Sequence, residues 1–255
     1  FRRVEMRRFF VGCDAISGDL VTISGRDARH IVKALRLKLG DAIVVVDGVG
    51  RRYVARITAT RETTVEARIE SMCDSGVSEP HVPITLVQGL PKADKMDGII
   101  QKCTEIGIAR IIPVMSERSV LRPDGASAER RMARWRRIAE EAAKQSGREA
   151  IPLVADIGTL KSAIEMLRHE GALMVFPWEL EQEYSLHQAL SELNPSSFPS
   201  VGFFIGPEGG FSNAEVEYAR AHGATTVTLG QRILRTETAG PVVAAIILYH
   251  MGELG

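Results

Sequence analysis

The sequence predicts two domains of different class: a small antiparallel β-barrel over residues 1–75, then an α/β domain over 83–255 with a mostly parallel sheet covered on both faces. Three observations predict it. Before residue 75 the apolar residues recur with period two, the mark of half-buried antiparallel strands. After residue 83 continuous apolar strands alternate with helices of period 3.6. Between them the run DSGVSEPHVP at 74–83 has the Ser, Gly, Pro and acid content of a linker, assigned to 76–82.

In the first domain, Arg7–Val11, Leu20–Ser24 and Ala42–Val46 read as strands, the last ending at the hairpin dipeptide Asp47-Gly48. Tyr53, Ala55, Ile57 and Ala59 alternate with polar or smaller neighbours, and so do Val65, Ala67 and Ile69. One helix, Arg26–Arg36, gathers Ala28, Ile31 and Leu35 on one face. In the second domain the strands are 84–90, 109–115, 172–176, 201–205 and 226–229. The helices between them are 94–106, 128–146, 160–169, 187–193 and 213–222, with a last one through Val242–Tyr249 that is almost wholly apolar. A helix apolar all round is buried against its sheet, a partner subunit or both.

The chain has 255 residues, 45% of them hydrophobic, enough to bury a core without metal or disulfide, so disorder is excluded. No segment is long and apolar enough for a membrane span or a leader, and the chain reads as cytoplasmic. Cys13, Cys73 and Cys103 are odd in number and far apart, and the six histidines show no ligand spacing, so neither disulfides nor a metal site is expected.

Formal charge is zero, 32 basic against 32 acidic side chains, but its distribution is uneven. Residues 1–80 hold 14 basic and 11 acidic groups, residues 81–150 hold 13 and 9, and residues 151–255 hold 5 and 12. Basic clusters before residue 40 and at Arg130, Arg131, Arg134, Arg136 and Arg137 are the kind that attract phosphate polyanions. A single such run is ordinarily a solvated face. Two in one half of a neutral chain set a nucleic-acid partner beside that reading.

The sharpest motif is the buried strand running into Gly206-Pro207-Glu208-Gly209-Gly210-Phe211-Ser212 and a helix capped by Ser212 or Asn213. In open α/β sheets ligands collect at the carboxyl ends of strands. The glycine spacing fits neither a dinucleotide fingerprint nor a P-loop, and an acidic residue inside the turn repels phosphate. A second stretch, Leu229-Gly230-Gln231-Arg232-Ile233-Leu234-Arg235-Thr236-Glu237-Thr238, leads into the last helix, with Thr236 or Thr238 as its cap. A third, Pro177-Trp178-Glu179, follows another strand. Loops with backbone donors but no phosphate cradle suit an uncharged heterocycle and a cationic centre.

The pairing of GPEGGFS with LGQRILRTETA resembles the knotted SPOUT methyltransferases, specifically the RsmE family of 16S ribosomal RNA uridine N3-methyltransferases. The resemblance extends through Met6-Arg7-Arg8-Phe9-Phe10, His30 with Leu35-Arg36, Gln101–Gly107, Ser116–Ser119, Trp135, Glu141–Arg148 and Ile151-Pro152. It implies a PUA-like β-barrel, a C-terminal domain with a deep trefoil knot holding S-adenosyl-L-methionine, and a homodimer through that domain. Carried over, the cofactor loops are Phe176, Pro177, Trp178 and Glu179; Ile205, Gly206, Pro207, Glu208, Gly209 and Gly210; and Leu229, Gly230, Ile233, Leu234, Arg235, Thr236 and Glu237. The ribosomal RNA or small subunit would meet Arg7, Arg8, His30, Arg36, Lys92, Lys95, Lys102, Arg118 and Arg148.

For the chemistry, Glu208 and Glu237 lie in the right loops for a general base, and Arg235 for stabilising charge on the uracil oxygens. Glu237 also reads as a first-turn carboxylate favoured by the helix dipole. Competing readings are a SPOUT enzyme acting on another RNA, such as transfer RNA ribose 2′-O, and a non-catalytic RNA-binding protein.

Overall fold

The computed structural model describes residues 7–73 and 79–254, so residues 1–6 and 74–78, which include positions 76–78 of the expected linker, lie outside the described residues. The chain divides into two compact units, one taking 1–79 together with Gly147–Ile151, the other 80–146 and 152–255. The expected continuous stretch 83–255 is thus interrupted just after the long basic helix.

In the first unit β1 (Arg8–Phe10), β2 (Ile16–Ser17), β3 (Leu20–Ser24), β4 (Ala42–Val46), β5 (Arg52–Thr60) and β6 (Thr64–Cys73) form one sheet in the order β1-β4-β5-β6-β3-β2. All pairs are antiparallel except β1 on β4. Alternate residues Val21, Ile23, Ile43, Val45, Ala55, Ile57, Val65 and Ala67 converge on one core, which Phe9, Ala28 and Ile31 complete. Residues from both ends of the strand order meet there, so the sheet curls round its core; no ladder joins β1 to β2 among the described residues. The expected helix is α1 (Gly25–Arg29) continued by a π-wound turn, His30–Leu35.

Two local features depart from expectation for physical reasons. Asp47-Gly48 does not make a two-residue turn. The Asp47 carboxylate accepts from the N–H groups of Val49 and Arg51, each at 3.0 Å, and so closes a wider loop before β5. Strand β4 is buried on both faces because Phe10, Val44 and Val46, on the side away from the main core, pack with Ile151. The segment carrying Ile151 is held by Glu79. That carboxylate accepts from Arg148 Nε at 3.1 Å and from the N–H groups of Glu149 and Ala150 at 3.1 Å, while Arg8 donates to the Gly147 carbonyl.

The second unit has β7 (Ile84–Gly89), α2 (Lys95–Ile106), β8 (Arg110–Met115), α3 (Gly125–Ser146), β9 (Leu153–Val154), β10 (Gly158–Thr159) and α4 (Leu160–His169). Then come β11 (Leu173–Pro177), α5 (Leu186–Leu193), β12 (Val201–Ile205), α6 (Asn213–Ala221), β13 (Thr225–Val227) and α7 (Thr236–His250). The sheet order is β10-β8-β7-β12-β11-β13, with β9 on β8, and every pairing is parallel. Successive residues of a strand face opposite layers. Val87, Phe176 and Phe204 join Phe211, Leu160, Ile164, Leu167 and Val216 on one side, where Phe176 stacks on Phe204 at 5.0 Å. On the other side Leu86 faces Gly240 of α7, and α7 packs on α2. No helix among the described residues is long and apolar enough to cross a membrane.

Candidate active site

Strand β7 has β8 on one side and β12 on the other, so the sequence-adjacent connections leave in opposite directions there. Such a switch point opens a crevice at the carboxyl ends of the strands. The loops that follow β7, β8, β11, β12 and β13 all emerge at that edge of the parallel sheet.

The loop after β12 is built for closeness. A Cβ on Gly206 would fall 2.9 Å from the Gly210 Cα, and a Cβ on Gly89 would fall 2.5 Å from the Pro207 ring, so the turn folds on itself and against the end of β7. Gly210 has φ +66° and donates to the Pro207 carbonyl at 2.9 Å. Ser212 and Glu215 form the capping box of α6, and Glu215 also accepts from the Glu117 N–H at 2.8 Å, which ties in the loop after β8. From that loop Arg118 donates to the Gly209 carbonyl at 2.9 Å.

Charge gathers on one cation. Lys95, in the first turn of α2, places Nζ 2.9 Å from Glu208 Oε1 and 3.2 Å from Glu237 Oε2. The Lys92 N–H also donates to Glu208 at 3.2 Å. Burial pushes Glu208 up, but the Lys95 ammonium and the N–H groups of Glu208 and Lys92 together outweigh it and hold the carboxyl below its ordinary range. Glu237 is held low chiefly by its own N–H, at the start of α7; burial pushes it up, and Lys95 and then Arg235 add to the lowering. Lys95 is raised, chiefly by Glu208. All three are therefore charged at neutral pH, and the Arg235 guanidinium lies close enough to lower Glu237 further.

The ends of β7, β12 and α7 are joined by buried polar groups. Gln88, fully buried near the end of β7, donates through Nε2 to the Gly89 carbonyl at 2.9 Å and the Thr236 hydroxyl at 3.0 Å. Thr236 in turn donates to the Gly206 carbonyl at 2.7 Å. Neither Thr236 nor Thr238 therefore caps α7. The cap position is Arg235, with no side-chain hydrogen bond, and the Thr236 hydroxyl is spent on the glycine turn. On the other flank, Trp178 donates its backbone N–H to Val227, carries the Arg220 guanidinium over its ring at 5.1 Å, and keeps a buried Nε1 without a partner. Glu179 packs its carboxylate against Gly210.

The expected cofactor residues thus occupy one edge: Phe176 and Ile205 are buried strand ends, Pro177, Gly206, Leu229 and Leu234 are half-buried, and Gly230 and Ile233 are exposed. Of the expected RNA contacts, Arg7, His30, Arg36, Lys102 and Arg118 are exposed. Lys95 instead sits between two carboxylates, and Arg148 is 4% exposed on Glu79. Sequence reasoning missed Gln88, whose signal was a lone amide in an apolar strand, and the reach of Glu215 to the Glu117 N–H, which left none. A groove of about 300 Å³ lies beside α3, lined by Ala93, Asp94, Asp97, Ser127, Arg130, Arg131, Arg134 and Trp135. Arg134 pairs with Asp97 there. Among the described residues no group of three or more His, Cys, Asp or Glu could hold a metal ion.

Comparison with known proteins finds the same two-part organisation. The family described as RNA methyltransferase domain matches residues 78–248, and that described as RNA methyltransferase PUA domain matches 23–70. The ribosomal RNA small subunit methyltransferase E of Bacillus subtilis strain 168 is 32% identical over 235 residues, 91% of each chain. The crystal structure of the protein of the same name from Neisseria gonorrhoeae, bound to S-adenosyl methionine, superposes with a TM-score of 0.80 at 34% identity, covering 95% of this chain and 97% of that one. A Legionella pneumophila methyltransferase in complex with the cofactor SAM gives a TM-score of 0.79 at 27% identity, with 96% and 98% covered.

Proposed function

This chain belongs to the RNA methyltransferase family that includes the ribosomal RNA small subunit methyltransferases E, and we propose that it transfers the methyl group of S-adenosyl-L-methionine to N3 of a uridine in 16S ribosomal RNA. The observation that carries this reading is the convergence of Glu208 and Glu237, from the two glycine-bearing loops, on Lys95 at the switch point. Two carboxylates beside a glycine turn whose spacing is not that of a phosphate cradle fit a sulfonium cation. The orphaned Trp178 indole N–H and the tight Gly206–Gly210 turn add a buried donor and close backbone approach. Residues 176–179, 205–210 and 229–237 would hold the cofactor.

The cofactor supplies an electrophilic methyl group when bound. This chain's task is to hold the uracil N3, the methyl carbon and the sulfur in line, and such orientation lowers barriers by up to about 7–11 kcal/mol in favourable models. Arg235, exposed at the head of α7 and close enough in charge to depress Glu237, is placed to meet negative charge on the ring oxygens. Glu208 and Glu237, as ion-paired carboxylates of low basicity, serve better as partners of Lys95 than as proton acceptors.

The chained contacts Gln88–Thr236–Gly206 support a deep knot, because they run the start of α7 against the turn after β12 and the end of β7. The half-buried or exposed stripe Val242, Ala245, Ile246 and Tyr249 on α7 supports homodimerisation through this face. The groove at Arg130, Arg131 and Arg134, with the PUA-like unit, would take the RNA, and a ribosomal substrate places the enzyme in the cytoplasm. Small ribosomal particles from a strain lacking the gene, incubated with the protein and cofactor and digested for mass spectrometry, should acquire 3-methyluridine. A ribose-methylated product, or none at all with no cofactor binding by calorimetry, would replace this reading with one of its two rivals.

A further inference from the structure

We propose that Lys95 is a catalytic residue of this reaction, its ammonium donating a hydrogen bond to a carbonyl oxygen of the uracil ring while N3 acts as nucleophile. The inference rests on the uridine N3 reading above and goes beyond it by assigning a group to the developing charge.

An ammonium has three N–H donors and no acceptor. Lys95 Nζ is ion-paired with Glu208 at 2.9 Å and Glu237 at 3.2 Å, yet Glu237 Oε2 takes no hydrogen bond and the lysine side chain remains 33% exposed, so the ammonium is not saturated by its partners and stays reachable. Its direction is fixed from both sides. Glu208 is itself held by the Lys92 N–H, and Glu237 is fixed in the first turn of α7. Lys95 lies where the loops after β7, β12 and β13 meet, the place where a base presented to the cofactor loops would arrive.

The same geometry decides which RNA group it meets. A backbone phosphate brought to Lys95 would also face the two carboxylates paired with it, so this ammonium is a poorer phosphate partner than an arginine without acidic neighbours. A neutral uracil carbonyl meets no such opposition. As N3 loses its proton the negative charge spreads onto the two ring oxygens, and a preorganised ammonium beside one of them is bound more strongly in the transition state than before it. The step balances as follows. The N3–H proton leaves to water on the exposed side, the N3 pair forms the bond to the methyl carbon, and the carbon–sulfur pair stays on sulfur, leaving 3-methyluridine and a neutral thioether. Neither carboxylate needs to take the proton, in keeping with their low basicity.

The test uses full-length Lys95→Gln and Lys95→Arg proteins on small ribosomal particles lacking the modification. Single-turnover methylation is followed across pH, cofactor affinity by calorimetry and folding by thermal melting. Lys95→Gln should slow methylation by about 100-fold or more. Its rate should also keep rising to about one pH unit higher than in the wild type, because the base must ionise unaided. Cofactor affinity should stay within a few-fold, and Lys95→Arg should recover at least about a tenth of the rate with the wild-type pH profile. An unchanged pH profile in Lys95→Gln overturns the proposal, as does a rate loss that merely follows lost cofactor binding or melting, or an Arg variant as slow as the Gln variant. Wild-type protein that makes no 3-methyluridine overturns the uridine reading itself, and this inference with it.

Discussion

Arg148 in the first unit and Lys95 in the second both sit on carboxylates, but their surroundings differ. Arg148 is 4% exposed, and its partner Glu79 also closes the N–H groups of Glu149 and Ala150, so acceptors and donors there are consumed inside the protein. Lys95 is 33% exposed, its two carboxylates are 27% exposed, and Glu237 Oε2 takes no hydrogen bond. A closed pair fixes a chain segment; a half-open one holds a charge ready for something else. Arg148 therefore belongs to the folding of the unit that carries Ile151, although a basic residue in a basic stretch reads from sequence as an RNA contact.

The comparison breaks most visibly at Glu79. Glu79→Ala removes the carboxylate that pairs a buried guanidinium and closes two N–H groups, and removing one partner of a buried pair typically costs about 3–5 kcal/mol. Chemical denaturation of the full chain should show a loss of that order, with cofactor affinity unchanged in protein that remains folded. A loss under about 1 kcal/mol would mean that the pair contributes no more than a surface bridge.

On the open side, Gly206→Ala tests whether the turn that carries Glu208 must be glycine. The added Cβ would lie 2.9 Å from Gly210 Cα and 3.0 Å from its carbonyl carbon, atoms of the backbone that cannot swing aside. Overpacking of this kind costs about 1–3 kcal/mol. If the strain falls on the binding conformation, calorimetry should show cofactor affinity about 5- to 100-fold weaker. Unaltered affinity would separate the turn from the cofactor site.

What was legible beforehand follows the same division. Periodicity located the long elements, and Leu160–His169, Val201–Ile205 and Leu20–Ser24 coincide with those expected, because their patterns are strong and their ends carry caps or turns. The two-residue strands β2, β9 and β10 are too short to show a period. The glycine loops were legible as motifs. The role of Thr236 was not, since a threonine before a helix reads as a cap and only the nearness of Gly206 diverts its hydroxyl. Nor was the place of Gly147–Ile151, which depends on Glu79 from far earlier in the chain.

The groove beside α3 offers a third arrangement, arginines with few acids. Arg134 is engaged with Asp97, whereas Arg130 and Arg131 have no acidic partner among the described residues. Such cations report on phosphate. Arg130→Ala and Arg131→Ala should each weaken binding to small-subunit RNA a few-fold and lower the slope of log affinity against log salt by about 1. Lys95→Gln should leave that slope unchanged. If the slopes respond the other way round, the phosphate contact lies at Lys95 and the assignment of the two sites is reversed.

The smallest effect is the most specific to the open cluster. Glu208 and Glu237 are both held below the ordinary carboxylate value of 4.5 when folded. A carboxylate depressed in this way contributes stability that is fully present above its unfolded value and is lost as pH falls through the folded one. Wild-type protein should therefore melt higher than Lys95→Gln by a margin that is constant from about pH 7 to pH 5 and shrinks below about 4.5. Other depressed carboxylates, such as Glu170 on Arg110 and Glu181 on the N–H groups of Glu183 and Tyr184, are present in both proteins and cancel in the difference. A margin that persists unchanged into acid would mean that Lys95 stabilises through packing of its stem, and the two clusters would then differ in exposure but not in kind.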